Sequence, residues 1–287
     1  MPHDSAVDEA GAGGRTVPRR ALGRRAVLLG GAACALAALG SRSKDAEPAS
    51  ALIGGGPTTT KAERFAVQPD GVFSVRTTKP LVGLTFDDGP DPAYTPDVLD
   101  ILDAFGVTAT FFVVGANATA HPELLTTQAA VGHEIANHTQ HHPDLNRLTA
   151  AGVASEIRTA QRSIVGQGVD APVLFRPPKG FTSTTVARTA RSNGFRTVFW
   201  THCVEHYVSA YGRQAAPERV ARDVRPGSVI LAHDGGTIYG TRLPVYSRAA
   251  TVRALPQLLR GLQARGLQPV PMALLLDDAR ERRGVPQ

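Results

Sequence analysis

The sequence predicts a parallel α/β barrel of about seven βα units, formed by one domain, and three observations lead to that expectation. Seven short apolar runs recur between Leu81 and Met272, amphipathic stretches separate most of them, and the side chains capable of chemistry follow directly on the apolar runs. Strands buried on both faces of a parallel sheet read as unbroken apolar runs, and their crossovers are helical. In a barrel the chemistry collects where strands end and loops begin. The length of 287 residues and a hydrophobic content of 42 % are ample for one large core, and no internal repeat or second domain is apparent.

The elements follow in order. Arg15, Arg19, Arg20, Arg24 and Arg25 precede the apolar run Ala26 to Leu39, the pattern of an export signal over residues 1–40. Arg24-Arg25 ahead of Ala26-Val27-Leu28-Leu29 resembles a twin-arginine signal. The run is short for a bilayer span, so a permanent N-terminal anchor is the second reading. Cys34 lies inside this segment, where lipid attachment is an alternative although Gly31-Ala32-Ala33 lacks an aliphatic residue. Cys203 is then the only mature thiol, which excludes an intrachain disulfide. Removing residues 1–40 takes away five arginines and three acids and lowers the formal charge from +6 to +4. So mild an excess does not indicate nucleic-acid binding. Residues 41–77, rich in Ser, Pro, Gly and Thr, read as a flexible spacer.

Strands are expected at Leu81 to Thr85, Ala109 to Val114, Glu134 to Ala136, Val173 to Phe175, Thr197 to Trp200, Ser228 to Ala232 and Leu267 to Met272. Between the first two, Val98, Ile101, Leu102 and Phe105 repeat at helical spacing, with Thr95 as the expected N-cap, Pro96 at the first helical position and Gly106 as the stop. Ala249 to Leu262 closes the series, with Pro256 expected to start or kink its second half.

Four segments carry chemistry. In Thr85-Phe86-Asp87-Asp88-Gly89-Pro90 the two carboxylates would point to opposite faces of a regular strand, so they serve one site only where the strand breaks, and Gly89-Pro90 supplies a break. Their repulsion is relieved by a nearby cation or by protonation of one of them. A turn with two solvated acids is the plainer alternative. His138 and His142, four positions apart, suit one face of a helical turn and two corners of a metal ion; His141 competes as second ligand, and His133 reads as a buried structural ring. In Arg176-Pro177-Pro178-Lys179-Gly180 the prolines fix φ and aim the following amide, which suits an oxyanion donor or merely a stiff loop. Leu231-Ala232-His233-Asp234 ends a strand with an imidazole placed for general acid work.

Taken together and in this order, these segments resemble the NodB-type polysaccharide deacetylases, family 4 of the carbohydrate esterases, over roughly Pro80 to Leu276. The resemblance implies a distorted (β/α)7-type barrel over residues 78–280, with 281–287 as a tail. It implies that Asp88, His138 and His142 hold a divalent metal, usually zinc and sometimes cobalt or another ion. Asp87 would then be the general base, Arg176 its orienting cation, the Lys179 amide an oxyanion donor, Leu231 a wall of the acetyl pocket and His233 the general acid. The implied partner is an N-acetylated glycan, peptidoglycan or chitin-like, met outside the cell or in its envelope by a monomer that is not inserted in a membrane.

Two departures stand out. Lys179 replaces the aromatic usual after Arg-x-Pro. The family's Asp-x-x-Asp-Trp segment aligns with Cys203-Val204-Glu205-His206-Tyr207, where both acids and the tryptophan are substituted. Glu205 or Asp234 is the candidate to replace the acid beside His233, and Tyr207 the candidate ring for substrate. An O-acetyl esterase acting on xylan, and a non-catalytic glycan-binding protein on the same fold, are the alternative functions.

Overall fold

The computed structural model describes residues 71–283. The export signal read over residues 1–40, Cys34, and residues 41–70 of the spacer lie outside the described residues.

The strands are β1 (Leu81–Asp87), β2 (Thr110–Val113), β3 (Glu134–Asn137), β4 (Leu174–Phe175), β5 (Arg196–Thr197), β6 (His202–Cys203), β7 (Val229–His233) and β8 (Gln268–Val270). They form one parallel sheet in the order β5-β4-β3-β2-β1-β7-β6, with β8 paired to the first half of β1. The helices are α1 (Thr95–Ala104), α2 (Gly115–Ala120), α3 (Pro122–Ala130), α4 (Ala150–Val165), α5 (Thr184–Ser192), α6 (Val204–Asp223), α7 (Ala249–Ala264) and α8 (Met272–Arg283). This curled parallel sheet with surrounding helices is the expected (β/α)7-type architecture.

The alternation of side chains along β1 sorts the interior into two layers. Val82, Leu84 and Phe86 join Phe111, Ile230 and the helix residues Val98, Leu102, Leu258 and Leu262 in the larger apolar cluster. Phe112, Ala136, Leu174, Val198 and Val229 form a second cluster with Met272, Leu275 and Leu276 of α8. Thr85 and Asp87, the alternate positions of β1, bond to Arg176 instead. The concave interior is therefore apolar toward α8 and polar at the C-terminal ends of the strands.

Several local expectations need correction. Thr95 is the first residue of α1, after an N-cap at Tyr94, because its hydroxyl is occupied by the Asp91 amide (2.8 Å) and the Asp234 carboxylate (2.7 Å). Pro256 lies inside a single helix, α7, and does not begin a second one. The strand β6 was not expected: it is two residues long and carries no apolar run, yet His202 and Cys203 pair with Ile230 and Leu231. Gly212, at φ 77° and ψ 161°, divides α6 where no boundary was read.

Gly71 to Val75, at the end of the segment read as spacer, pack onto the domain. Val72 bridges to Val198 and Ser74 to Ser228, linking the β5 edge to the start of β7. Phe73 stacks on Phe199 with ring centroids 4.4 Å apart. The Val75 amide donates to the Gly227 carbonyl at 2.8 Å. Gly227 is required here: its φ is +83°, and a Cβ would lie 1.8 Å from the Val75 carbonyl oxygen. Gly227→Ala is expected to destabilise the protein by about 2–3 kcal/mol, read as a lower midpoint in chemical denaturation; an unchanged midpoint would show that this docking contributes nothing.

Candidate metal and catalytic site

The site begins where β1 stops being a strand. Asp87 is its last residue, and Asp88 turns to φ 75°, so the two carboxylates do not point to opposite faces. The turn is fixed by its neighbours: Asn117 Nδ2 donates to the Asp88 carbonyl at 2.8 Å and to that of Thr237 at 2.7 Å. A Cβ on Gly235 would sit 2.1 Å from the same Asp88 oxygen, so glycine alone permits this approach.

His138 and His142 come together differently from the expected helical turn. They lie on a loop after β3 in which Thr139 (φ 73°) and His142 (φ 54°) are left-handed. Side chains sustain these conformations: the Thr139 amide donates to Asn137 Oδ1 (2.9 Å) and the His142 amide to Thr139 Oγ1 (3.1 Å). The Gln140 and His141 amides both donate to Glu156 Oε2. His141, the competing ligand, turns away: its Nδ1 lies 2.9 Å from Glu156 Oε1 and its side chain is exposed. His133 is the buried structural ring expected, accepting the Ala109 amide at Nδ1 (3.1 Å), and burial pushes its pKa down to about 4.

One ligand atom each from Asp88, His138 and His142 converge within 4.8 Å of one another. Asp88 Oδ1 lies 3.2 Å from His142 Nε2 and 3.5 Å from His138 Nε2. His138 Nδ1 is 2.8 Å from the Arg176 carbonyl, to which it donates, so Nε2 is the atom that faces the centre; burial works against its charge, but Asp87 and Asp88 raise its pKa above the ordinary value. Burial holds His142 at a pKa of about 4, so its imidazole is neutral at pH 7. Asp88 resists the opposing effect of burial because His142, His138, His233 and Arg248 keep its pKa well below the ordinary value. Asp88 Oδ1 is buried without a hydrogen-bond partner. Two imidazole nitrogens and an orphaned carboxylate oxygen form a donor set suited to a divalent cation of the zinc type.

Asp87 stands beside this centre, its Oδ2 3.6 Å from His138 Nε2. Arg176 holds the other oxygen, with NH1 2.5 Å from Asp87 Oδ1. The guanidinium has no exposed surface. It donates to Thr85 Oγ1 and to the Val198 and Phe199 carbonyls, and lies 4.0 Å over the Phe112 ring. A buried cation held by four hydrogen bonds, through Nε and both terminal nitrogens, is fixed in place and fixes the orientation of Asp87 in turn.

On β7, His233 is the register neighbour of Asp87 and Leu231 that of Thr85, so both face the interior beside the carboxylates. The choice between acids is resolved: Glu205 Oε2 lies 3.1 Å from His233 Nδ1, an ion-pair separation without hydrogen-bond alignment. Glu205 also accepts from Thr251 Oγ1 at 2.6 Å. Burial works against its charge, but His233, Arg248 and Thr251 bring its pKa down to about 2. Asp234 faces the other way, accepting from Thr95 Oγ1 (2.7 Å) and Gln128 Nε2 (3.4 Å), and burial raises its pKa to about 7.

Lys179, at φ 58°, occupies the short turn Pro178–Gly180; its side chain is exposed, and its amide has no hydrogen-bond partner among the described residues. Tyr207 does not offer a free hydroxyl to the centre, because that group donates to Asp223 Oδ2 at 3.1 Å and its ring packs against the large core cluster. Arg248, which the sequence reading missed, donates to Asp88 Oδ2 at 2.7 Å. No motif marks it, and 160 residues separate it from its partner.

A barrel with a buried Asp-His-His cluster at its strand ends and an arginine-held carboxylate beside it has the make-up of a metallohydrolase. The sequence profile of the polysaccharide deacetylase family matches residues 74–198. A chitooligosaccharide deacetylase of Bradyrhizobium sp. is 41% identical over 68% of this chain and 90% of its own length. A peptidoglycan-N-acetylglucosamine deacetylase of Bacillus cereus is 32% identical over 74% of this chain and 97% of its own. The crystal structure of a peptidoglycan N-acetylglucosamine deacetylase bound to 4-naphthalen-1-yl-N-oxidanyl-benzamide superposes with a TM-score of 0.66 at 28% identity, covering 76% of this chain and 96% of that one. The chain belongs to the polysaccharide deacetylase family, family 4 of the carbohydrate esterases.

Two outcomes are expected. Glu205→Gln lowers kcat about tenfold to a hundredfold with KM little changed, as expected when an acid loses its orienting partner; steady-state kinetics reporting unaltered kcat would remove Glu205 from the machinery. Asp234 has a folded pKa of about 7 against an ordinary 3.8, so the folded state binds the extra proton and stability falls as pH rises between about 4 and 7. Denaturation of chelator-treated protein should show this as a slope of at most about 1.4 kcal/mol per pH unit, flattened in Asp234→Asn.

Proposed function

We propose that the protein is an exported, metal-dependent hydrolase that removes N-acetyl groups from a polysaccharide or oligosaccharide of the peptidoglycan or chitin type. The observation that carries this reading is the convergence of Asp88, His138 and His142, with Asp87 fixed beside it and His233 the register neighbour of Asp87 on β7. The names of the two relatives favour an N-acetylated glycan as substrate. Export rests on the arginine-led apolar run of residues 15–39. Among the described residues no helix is long and apolar enough to cross a membrane. We take the protein to act as a monomer.

Asp88 Oδ1 and the Nε2 atoms of His138 and His142 would hold the cation, zinc in the first instance, with cobalt or another divalent ion as alternatives. Once bound, such a cation acts as a Lewis acid toward the acetyl carbonyl and acidifies water. Asp87, oriented by Arg176, takes the proton of the attacking water. The Lys179 amide, unpaired and rigidly placed after Pro177-Pro178, donates to the developing oxyanion, while Leu231 forms an apolar wall for the methyl group. His233 protonates the amine as it leaves, a necessary step because an unprotonated amide nitrogen is a poor leaving group. Acetate and a free amino sugar result.

The reading as a non-catalytic glycan-binding protein drew on the substitutions at Cys203, His206 and Tyr207. The position of Glu205 beside His233 speaks against it, because an acid still faces the imidazole from that segment.

The test is to incubate the purified protein, loaded with zinc, with N-acetylated chitooligosaccharides, peptidoglycan fragments and acetylated xylan, and to follow acetate and product masses. Release of acetate with appearance of free amine is expected, and ester-only release would overturn the N-acetyl preference. Asp87→Asn is expected to lose about a hundredfold or more in kcat while its zinc content, measured by elemental analysis, stays that of the parent.

A further inference from the structure

Arg248 is the residue of the site that no motif accounts for, and its position is unusual in three respects. It sits at the N-cap of α7, at the far end of the loop that leaves β7. Its side chain is 9% exposed, although arginine is seldom buried to this degree without a specific partner. Both of its hydrogen bonds point into the site: Nε donates to the Gly235 carbonyl at 2.7 Å, and the outer NH2 donates to Asp88 Oδ2 at 2.7 Å. The Tyr246 ring lies 5.4 Å from the guanidinium carbon on another side.

The two oxygens of Asp88 are thereby assigned different tasks. Oδ2 is taken by Arg248, and Oδ1 is left without a hydrogen bond, facing His142 Nε2 at 3.2 Å and His138 Nε2 at 3.5 Å. Gly235 is itself packed against the Asp88 carbonyl oxygen, so the guanidinium ties the Asp88 side chain to the same loop that fixes its backbone. A free carboxylate rotates about its Cβ–Cγ bond and is able to offer one oxygen or both. One anchored through Oδ2 offers a single oxygen in a single direction.

We propose that Arg248 is a positioning residue for the metal ligand: it fixes Asp88 as a one-oxygen donor and sets its direction before the cation arrives. This rests on the metal-site reading above. The arrangement repeats on the second carboxylate what Arg176 does for Asp87, so each aspartate of the pair has its own buried arginine and the two cannot exchange roles. Outer partners of metal ligands of this kind hold ligand geometry and contribute substantially to affinity.

The test uses the full-length protein stripped with a chelator, with zinc affinity read by competition against a chromophoric chelator. Arg248→Gln should bind zinc about tenfold to a hundredfold more weakly than the parent. Arg248→Lys, which returns a cation to reach Asp88 but not the second bond to Gly235, should recover affinity over Arg248→Gln without matching the parent. An Arg248→Gln protein that binds as tightly as the parent, or a folded Arg248→Lys protein no tighter than Arg248→Gln, would overturn the assignment. Should Arg248→Gln fail to fold, Arg248→Lys decides alone: weaker zinc binding supports the role and parental binding overturns it. A parent that fails to compete for zinc would instead sink the metal reading itself, an outcome distinct from equal binding by parent and variant.

Discussion

Two carboxylates adjacent in sequence, Asp87 and Asp88, are both buried at the end of β1, and the rest of the site is organised around that constraint. Buried like charges disfavour each other's ionisation, and burial alone disfavours either. The fold sets a buried guanidinium against each of the two aspartates, Arg176 on Asp87 and Arg248 on Asp88. A single shared arginine would leave the aspartates interchangeable. With separate arginines the two carboxylates are held apart, Asp87 through Oδ1 on Arg176 and Asp88 through Oδ2 on Arg248, with Asp88 Oδ1 left facing the imidazoles.

The barrel makes this possible because its interior is not uniform. Toward α8 it is filled by Met272, Leu275 and Leu276 against Phe112, Val198 and Val229, an apolar floor. A Cβ on Gly83 would lie 2.6 Å from Met272 Sδ, which shows how closely α8 closes that end. Above the floor, Thr85, Asp87 and Arg176 form a polar layer whose donors and acceptors satisfy each other. The carboxylates therefore sit on a rigid, water-poor base, where directed electrostatic contacts act more strongly than in water. Above it, the loop after β3 supplies His138 and His142, the end of β7 supplies His233, the first turn of α6 supplies Glu205 and the N-cap of α7 supplies Arg248.

Much of this was legible in the sequence, for physical reasons that separate what was read from what was missed. Strands buried on both faces are apolar whatever their partners, so β1, β2, β3 and β7 stood out as runs, while β6 at two residues left no trace. The His138–His142 pair stood out by its four-residue spacing and the Asp87-Asp88 pair by its place after a strand, while the choice of Asp88, His138 and His142, which the structure clusters, came from the family resemblance. The conformation that joins them was misread, since helical spacing and a loop with two left-handed residues give the same four-residue offset. Arg248 could not be found by pattern: it pairs across 160 residues, and its partner is specified by the path of the β7–α7 loop. Tyr207 was assigned a role by alignment of its ring, and what the structure adds is that its hydroxyl is engaged by Asp223.

The substituted segment after β6 shows how such a site tolerates sequence change. A carboxylate faces His233 Nδ1 in spite of the substitutions, because what brings it there is position in space and not position in sequence. Because α6 starts immediately after Cys203, Glu205 lies in its first turn, where an acidic side chain is also favoured by the helix N-terminus. Thr251, on α7, then holds the second oxygen of the carboxylate. Asp234 is closer in sequence to His233 but serves worse: it is drawn into the buried contacts of Thr95 and Gln128, and burial keeps it protonated up to about pH 7. A neutral acid offers no charge to a neighbouring imidazole, whereas Glu205, held at a pKa of about 2, is a carboxylate at neutral pH. The same α7 terminus that supplies Thr251 supplies Arg248, so the start of one helix holds both Glu205 and Asp88.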